Sequence, residues 1–260
     1  MLCDSHCHPA DLSRLDPDAE NRRTALGVAC ASSATTLAEF EFCEKLAGGA
    51  VPLYPCFAVH PQLPRCRSER PEDFPSTDEG LRTLELLCRE GRLSGVGETG
   101  FDLYDAGFRS SESVQDLLFA EHLAAALRHG LPLILHVRRA MHKVFAHSRA
   151  LARCRAVVFH SWSGTLGEAR SLLGRGINAF FSFGTGVALN HKEAMRCAAL
   201  LPADRLLTET DAPYMPLRGS AFSGYDDLPA ILGAMAALRS ETAESLEAAV
   251  EGNFRSVFAV

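Results

Sequence analysis

No stretch of this 260-residue chain is apolar for long enough to cross a bilayer. The most apolar segments, Leu131–Val137 and Ala179–Ala188, are too short or too rich in glycine. Export signals are missing too, because Met1-Leu2-Cys3-Asp4 reaches a carboxylate where a signal peptide would still be apolar. The nine cysteines (3, 7, 30, 43, 56, 66, 88, 154 and 197) are odd in number, scattered, and include no C-x-x-C pair. That excludes a disulfide framework and points to free thiols in a reducing, cytoplasmic setting. Positive charge is scarce as well: 26 Lys+Arg against 32 Asp+Glu leave a net charge of -6, so a broad basic face for nucleic acid is excluded. There is no internal repeat, no low-complexity tract, and no G-x-G-x-x-G after the first apolar run.

What is present is a globular composition, 47% hydrophobic and 22% charged, sufficient for a large core. Short apolar runs read as strands at Leu2–Ser5, Leu26–Ala31, Leu53–Val59, Leu93–Glu98, Leu131–His136, Ala156–His160, Ile177–Phe183 and Arg205–Glu209. Amphipathic stretches read as helices between them, at Thr35–Leu46, Leu81–Arg89, Ser113–Arg128, Met141–Ala152, Leu166–Leu173 and Lys192–Leu200. Two more close the chain, around Asp227–Arg239 and Ala243–Phe258, and the Pro/Arg-rich Pro61–Pro75 reads as a long loop. Continuously apolar strands alternating with helices specify a parallel sheet buried on both faces. Eight such units predict a single-domain α/β protein over residues 1–260, a (β/α)8 barrel with its active site at the C-terminal strand ends. An open doubly wound sheet is the alternative.

The polar residues that follow these strands carry the chemical information. His6 and His8 follow the first, His60 ends the third, and Glu98 follows Gly95-Val96-Gly97. His136 and His160 end the fifth and sixth, and Asp211 follows the eighth. In a parallel barrel all these ends open on one face, so seven metal-capable side chains meet in one pocket. Each alone is as consistent with a hydrogen-bonded structural residue; the set is not. The remaining histidines 122, 129, 147 and 191 read as helix-surface or loop residues. His6-x-His8 places two imidazoles on one side of a strand. A mononuclear zinc site would use only part of the set, whereas two divalent ions sharing the Glu98 carboxylate would use it all.

With these residues in place, the sequence resembles the TatD-type metal-dependent deoxyribonucleases of the amidohydrolase-like barrels. Four blocks carry the resemblance: Asp4-Ser-His-Cys-His8, Gly95-Val-Gly-Glu-Thr-Gly-Phe-Asp102, Pro132-Leu-Ile-Leu-His-Val-Arg138 and Glu209-Thr-Asp-Ala-Pro213. Val59-His60-Pro61 and His160-Ser-Trp-Ser-Gly164 add to it. The resemblance implies one divalent ion on His6, His8, Glu98 and Asp211, and a second on Glu98, His136 and His160. It also implies contact of His60 and Arg138 with substrate phosphate. The implied activity is removal of nucleotides from DNA ends, 3'-5', with magnesium or a related ion. Three positions depart from the family pattern. His142 stands where an acid is usual, Arg218-Gly lacks the asparagine expected shortly after it, and Asp4-Ser-His-Cys-His-Pro-Ala10 lacks a following acid or amide.

The expected protein is therefore a metal-dependent hydrolase in which Asp211 takes the proton of the attacking water and Glu98 joins the two ions. Four imidazoles and two carboxylates suit Zn²⁺ or Mn²⁺, while the resemblance implies Mg²⁺. The expected substrate is a DNA end or single-stranded DNA, with no membrane and no obligate protein partner. Hydrolysis of a small ester, lactone or amide is the enzymatic alternative, and a metal-stabilised binding scaffold the non-enzymatic one.

Overall fold

The structure, a computed structural model, describes residues 1–70 and 75–259. Eight parallel strands lie in sequence order: β1 (Cys3–Cys7), β2 (Ala29–Ala34), β3 (Leu53–Phe57), β4 (Gly95–Asp102), β5 (Leu133–Arg138), β6 (Val157–Phe159), β7 (Ala179–Phe183) and β8 (Leu206–Thr208). The sheet curls until β8 meets β1, where the Thr208 hydroxyl donates to the Cys3 carbonyl at 2.6 Å. Just beyond, the Thr210 amide and hydroxyl both donate to the buried Asp4 carboxylate, at 3.0 and 2.6 Å. The result is a (β/α)8 barrel. Nearly every strand residue is buried, as in the run Ala-Phe-Phe-Ser-Phe of β7, because the interior covers one face and the helices the other. Among the described residues no helix is long and apolar enough to cross a membrane. All nine cysteines are free, and eight are buried.

Several helices start where a side chain caps them. Thr36 with Glu39, and Thr165 with Glu168, form reciprocal capping boxes at Leu37–Ala47 and Leu166–Gly174. Ser76 and Thr242 cap Thr77–Arg89 and Ala243–Phe258 through their side chains.

Several expectations are corrected. The run Leu26–Ala31 is not one strand: Leu26 ends the helix Ala19–Leu26, Gly27 terminates it in a left-handed conformation (φ 66), and β2 starts at Ala29. The Pro61–Pro75 loop contains the helix Leu63–Glu69, opened by Pro64, and residues 71–74 lie outside the described residues. Met141–Ala152 divides into Met141–Ala146 and Ser148–Leu151. A further helix, Pro9–Leu15, starts directly after His8. His122 is fully buried and not on a surface: its Nε2 accepts from the Val59 amide at 3.0 Å and its Nδ1 faces the Thr99 hydroxyl at 3.0 Å.

Two irregularities in strand pairing position the site. Between Asp4 and Cys7, three steps along β1 oppose two along β2 (Cys30 to Ser32). Between Val96 and Thr99, three steps along β4 oppose two along β5 (Leu133 to Leu135). The extra residue in each strand breaks the alternation and re-aims the neighbouring side chain. His6 lies within the first irregularity and Glu98 within the second.

Candidate active site

The Glu98 carboxylate, 2% exposed, stands at the centre of the barrel mouth. Its Oε1 is 2.6 Å from His136 Nδ1, 3.2 Å from His160 Nε2 and 3.2 Å from His60 Nε2. Its Oε2 faces the other way, 3.3 Å from His6 Nε2 and 3.9 Å from His8 Nε2. Asp211 Oδ1 completes that second side, 3.5 Å from His8 Nε2 and 3.7 Å from His6 Nε2. All seven side chains expected at the strand ends are therefore brought together, with Arg138 beside them. Among the described residues, three clusters fit a metal ion by the spacing of their donor atoms: His6-Glu98-His160, His6-His8-Asp211 and His60-Glu98-His136.

How each imidazole is tethered decides what it can do, since a neutral ring has one N–H and one lone pair. The His136 ring is held between two carboxylates, Nε2 3.0 Å from Asp102 and Nδ1 2.6 Å from Glu98, so with its Nε2 proton kept by Asp102 the ring can give up the Nδ1 proton to a cation. The His136–Asp102 contact is the kind of carboxylate–histidine pair that orients a metal ligand. His160 Nδ1 lies 3.2 Å from Glu209 Oε1 at ion-pair distance but without hydrogen-bond alignment, and its Nε2 lies 3.2 Å from Glu98 Oε1. His60 is tethered in the opposite sense. Its Nδ1 accepts from the Gln62 amide at 3.1 Å, so its proton sits on Nε2, the atom that faces the site. The third cluster thus contains a ring arranged to donate a hydrogen bond and not to coordinate.

The electrostatics follow from burial and charge together. Burial opposes ionisation of Glu98, but the rings of His60, His160, His6 and His136 hold its carboxyl well below the usual range. Asp211 is lowered too: burial works against it, while His160 and a hydrogen bond from His8 prevail. Burial pulls His6 and His60 below an ordinary imidazole. Against that same burial, His8 is raised by Asp211, His136 by Glu98 and Asp102, and His160 strongly by Glu98, Glu209 and Asp211. The cluster holds protons where a cation would put its own charge, which is the behaviour of a metal-ligand set.

A cavity of about 900 Å³ covers the cluster, with His8, His60, Glu98, His136, Arg138, His160 and Asp211 on its wall. Asp102 and Glu209 stand against the site's imidazoles and were left unassigned by sequence reasoning, although both stood inside quoted blocks. Asp102 Oδ2 accepts from Gln62 Nε2 (2.6 Å), His136 Nε2 (3.0 Å) and Arg138 Nη1 (3.2 Å) at once. Glu209 also accepts the Ser161 amide at 2.7 Å. Tyr214 is a third such residue, its ring edge against His8 and its hydroxyl donating to Asp11 Oδ2 at 2.8 Å. His191, expected to be ordinary, also lines the cavity.

The chain is similar to several known proteins. An uncharacterised metal-dependent hydrolase of Escherichia coli, YjjV, is 32% identical over the whole of both chains. Its crystal structure superposes with a TM-score of 0.85 at 28% identity, covering 100% of this chain and 98% of that one. The 3'-5' ssDNA/RNA exonuclease TatD of Cronobacter sakazakii is 34% identical over 70% of this chain and 71% of its own length. Residues 3–259 match the family described as TatD related DNase, and the chain belongs to that family.

Proposed function

We propose that this protein is a divalent-metal-dependent deoxyribonuclease, residues 1–260 acting as one hydrolase barrel in the reducing cytoplasm. It removes nucleotides stepwise, 3'-5', from the ends of single-stranded or frayed DNA. The observation that carries the proposal is the two-sided Glu98 carboxylate, one oxygen toward His136 and His160, the other toward His6 and His8. Such a donor set fits two divalent ions, one held by His6, His8, Glu98 and Asp211, the other by Glu98, His136 and His160. Its nitrogen-rich character favours Zn²⁺ or Mn²⁺ as the resident ions, with Mg²⁺ able to support turnover. When bound, such ions acidify water and neutralise the charge of the reacting phosphodiester.

The remaining roles belong to the protein. Asp211, ionised because its neighbouring imidazoles keep it so, takes the proton of the attacking water. The His60 Nε2–H and the Arg138 guanidinium grip the phosphate oxygens, with Asp102 holding Arg138 in place. The name of the exonuclease relative supports a nucleic-acid substrate. A recessed barrel mouth admits a strand end but not an intact duplex, and a chain of charge -6 attracts long DNA only locally. The test compares a 5'-labelled single strand with a closed circle, each with Mg²⁺, Mn²⁺ or chelator. Stepwise shortening of the single strand, an intact circle and silence in chelator are expected. Efficient nicking of the circle refutes end entry, and inertness toward both with turnover of a small ester or lactone assigns the site to that chemistry instead.

A further inference from the structure

Beside the main cavity lies a second one of about 380 Å³, within the range that accepts a nucleotide-sized group. The two share Val137 and residues 160–163 as a common wall. The consecutive arginines at the end of β5 divide between them: Arg138 lines the main cavity and Arg139 the second. Arg139 has a left-handed backbone (φ 55), which breaks the extended run and lets the next side chain leave on a different side.

Both arginines rest on one ring. The Arg138 and Arg139 guanidinium carbons lie 4.2 and 4.5 Å from the centroid of Tyr104, and Arg139 Nη1 donates to the Tyr104 carbonyl at 3.0 Å. The Tyr104 amide in turn donates to Asp102 Oδ1 at 3.0 Å, so the turn that fixes Arg138 also fixes Arg139. Around Arg139 the second cavity carries His142 and the hydroxyl-bearing Ser161 and Ser163. Its one carboxylate among the described residues, Glu168, is already engaged by the Thr165 amide and hydroxyl at 2.7 and 2.8 Å. In an acidic chain, the mouth therefore presents two adjoining pockets, each with an arginine at its edge, spaced along one tyrosine.

We infer that the second cavity is a subsite for the phosphate and nucleoside next to the scissile bond, with Arg139 and His142 holding that phosphate while Arg138 holds the scissile one. The inference rests on the nuclease reading above and specifies its substrate class: a chain with at least two consecutive phosphodiesters, in preference to a lone diester.

The test uses the metal-loaded enzyme and two thymidine oligonucleotides, TpT with one phosphate and TpTpT with two. Wild type is expected to favour the trinucleotide in kcat/KM by about tenfold, the size of one charge-assisted contact. In the double variant R139A/H142E that preference disappears, while R139K retains most of it. Anisotropy titration of a dye-labelled trinucleotide in chelator, where nothing is turned over, is expected to weaken by about the same factor in the double variant. A double variant that keeps the preference, or unchanged binding in chelator, overturns the subsite alone. Wild type inert toward both oligonucleotides and toward longer strands overturns the nuclease reading and the subsite with it.

Discussion

Asp102 makes no contact with a reacting group, yet it fixes two residues that do. Its Oδ2 holds the His136 ring from behind and the Arg138 guanidinium from the side, and hydrogen bonds from His136 and Gln62 keep its carboxyl below the usual range although burial works the other way. Asp102→Asn removes the charge and leaves one oxygen to serve either the Tyr104 amide or the donors gathered on Oδ2, so the ring and the arginine lose their common anionic anchor. Metal affinity and kcat/KM are each expected to fall by about 10–100-fold, as measured by calorimetric Mn²⁺ titration and oligonucleotide turnover. An unchanged Mn²⁺ affinity would remove Asp102 from this role. Like His6 and His60, His122 contributes to the pH response of the fold. Burial lowers its pKa to about 4, against 6.5 for an ordinary imidazole. The unfolded chain therefore takes up a proton that the folded chain refuses as pH falls from 6.5 toward 4, and stability is lost across that window, by on the order of 3 kcal/mol. Urea midpoints measured from pH 4 to 7 are expected to slope upward with pH, and to slope less in His122→Gln. The sequence carried a signal for His122, which follows Leu118 by four and Phe119 by three on a helix and so shares their buried face. For Asp102 it gave a place in a motif block but no role, because that role depends on its pairing opposite Arg138 in the β4–β5 register.

At the scale of the element, β4 contributes most to the site and tolerates least change. Gly100 has φ 129, and a Cβ added there would lie 2.2 Å from the His136 carbonyl oxygen in β5. Gly27 is also left-handed (φ 66), but nothing lies within 4 Å of its missing Cβ. The same substitution should therefore cost very different amounts. Gly27→Ala pays only backbone strain, about 1 kcal/mol, whereas Gly100→Ala adds overpacking against β5, for roughly 4 kcal/mol or failure to fold. Urea unfolding of the two variants gives the comparison, and equal midpoints would mean that β4 and β5 are not packed so closely. Element existence was legible because strands buried on both faces read as continuous apolar runs, and Lys192–Leu200 and Ala243–Phe258 match their expected bounds. Strand ends were less legible. β4 was expected to stop at Glu98 and runs to Asp102, because a glycine-rich segment reads as a turn and its pairing to β5 is decided across the sheet. The i, i+2 argument for His6 and His8 reached the right meeting point by a different backbone, since the pairing is irregular between Asp4 and Cys7 and His8 lies beyond the strand.

On the scale of the whole molecule, the site is a product of barrel closure. Its side chains come from β1, β4, β5, from the segments following β3 and β6, and from Asp211 beyond β8, so no fragment of the chain assembles it. The Asp211 amide donates to the His6 carbonyl at 3.0 Å, and the His8 amide to the Ala212 carbonyl at 2.7 Å, which ties the last ligand to the first across the seam. A cation that binds this set binds the native state and not the unfolded chain, and stabilises it by mass action, about 2.7 kcal/mol at a hundredfold excess over Kd. For a chain of this length that corresponds to a rise in Tm of roughly 5–10 °C on adding Mn²⁺ or Zn²⁺ to chelator-treated protein. The sign of the pH dependence follows from the imidazoles. His8, His136 and His160 hold their protons to higher pH than an ordinary histidine, so protons compete with the cation as pH falls. The rise in Tm is therefore expected to be larger at pH 8 than at pH 6. Glu98→Gln removes the carboxylate that faces both groups of imidazoles and should abolish most of the rise at either pH. If Glu98→Gln gains as much as wild type, the cation is binding elsewhere, and the barrel mouth is not the metal centre that its histidines suggest.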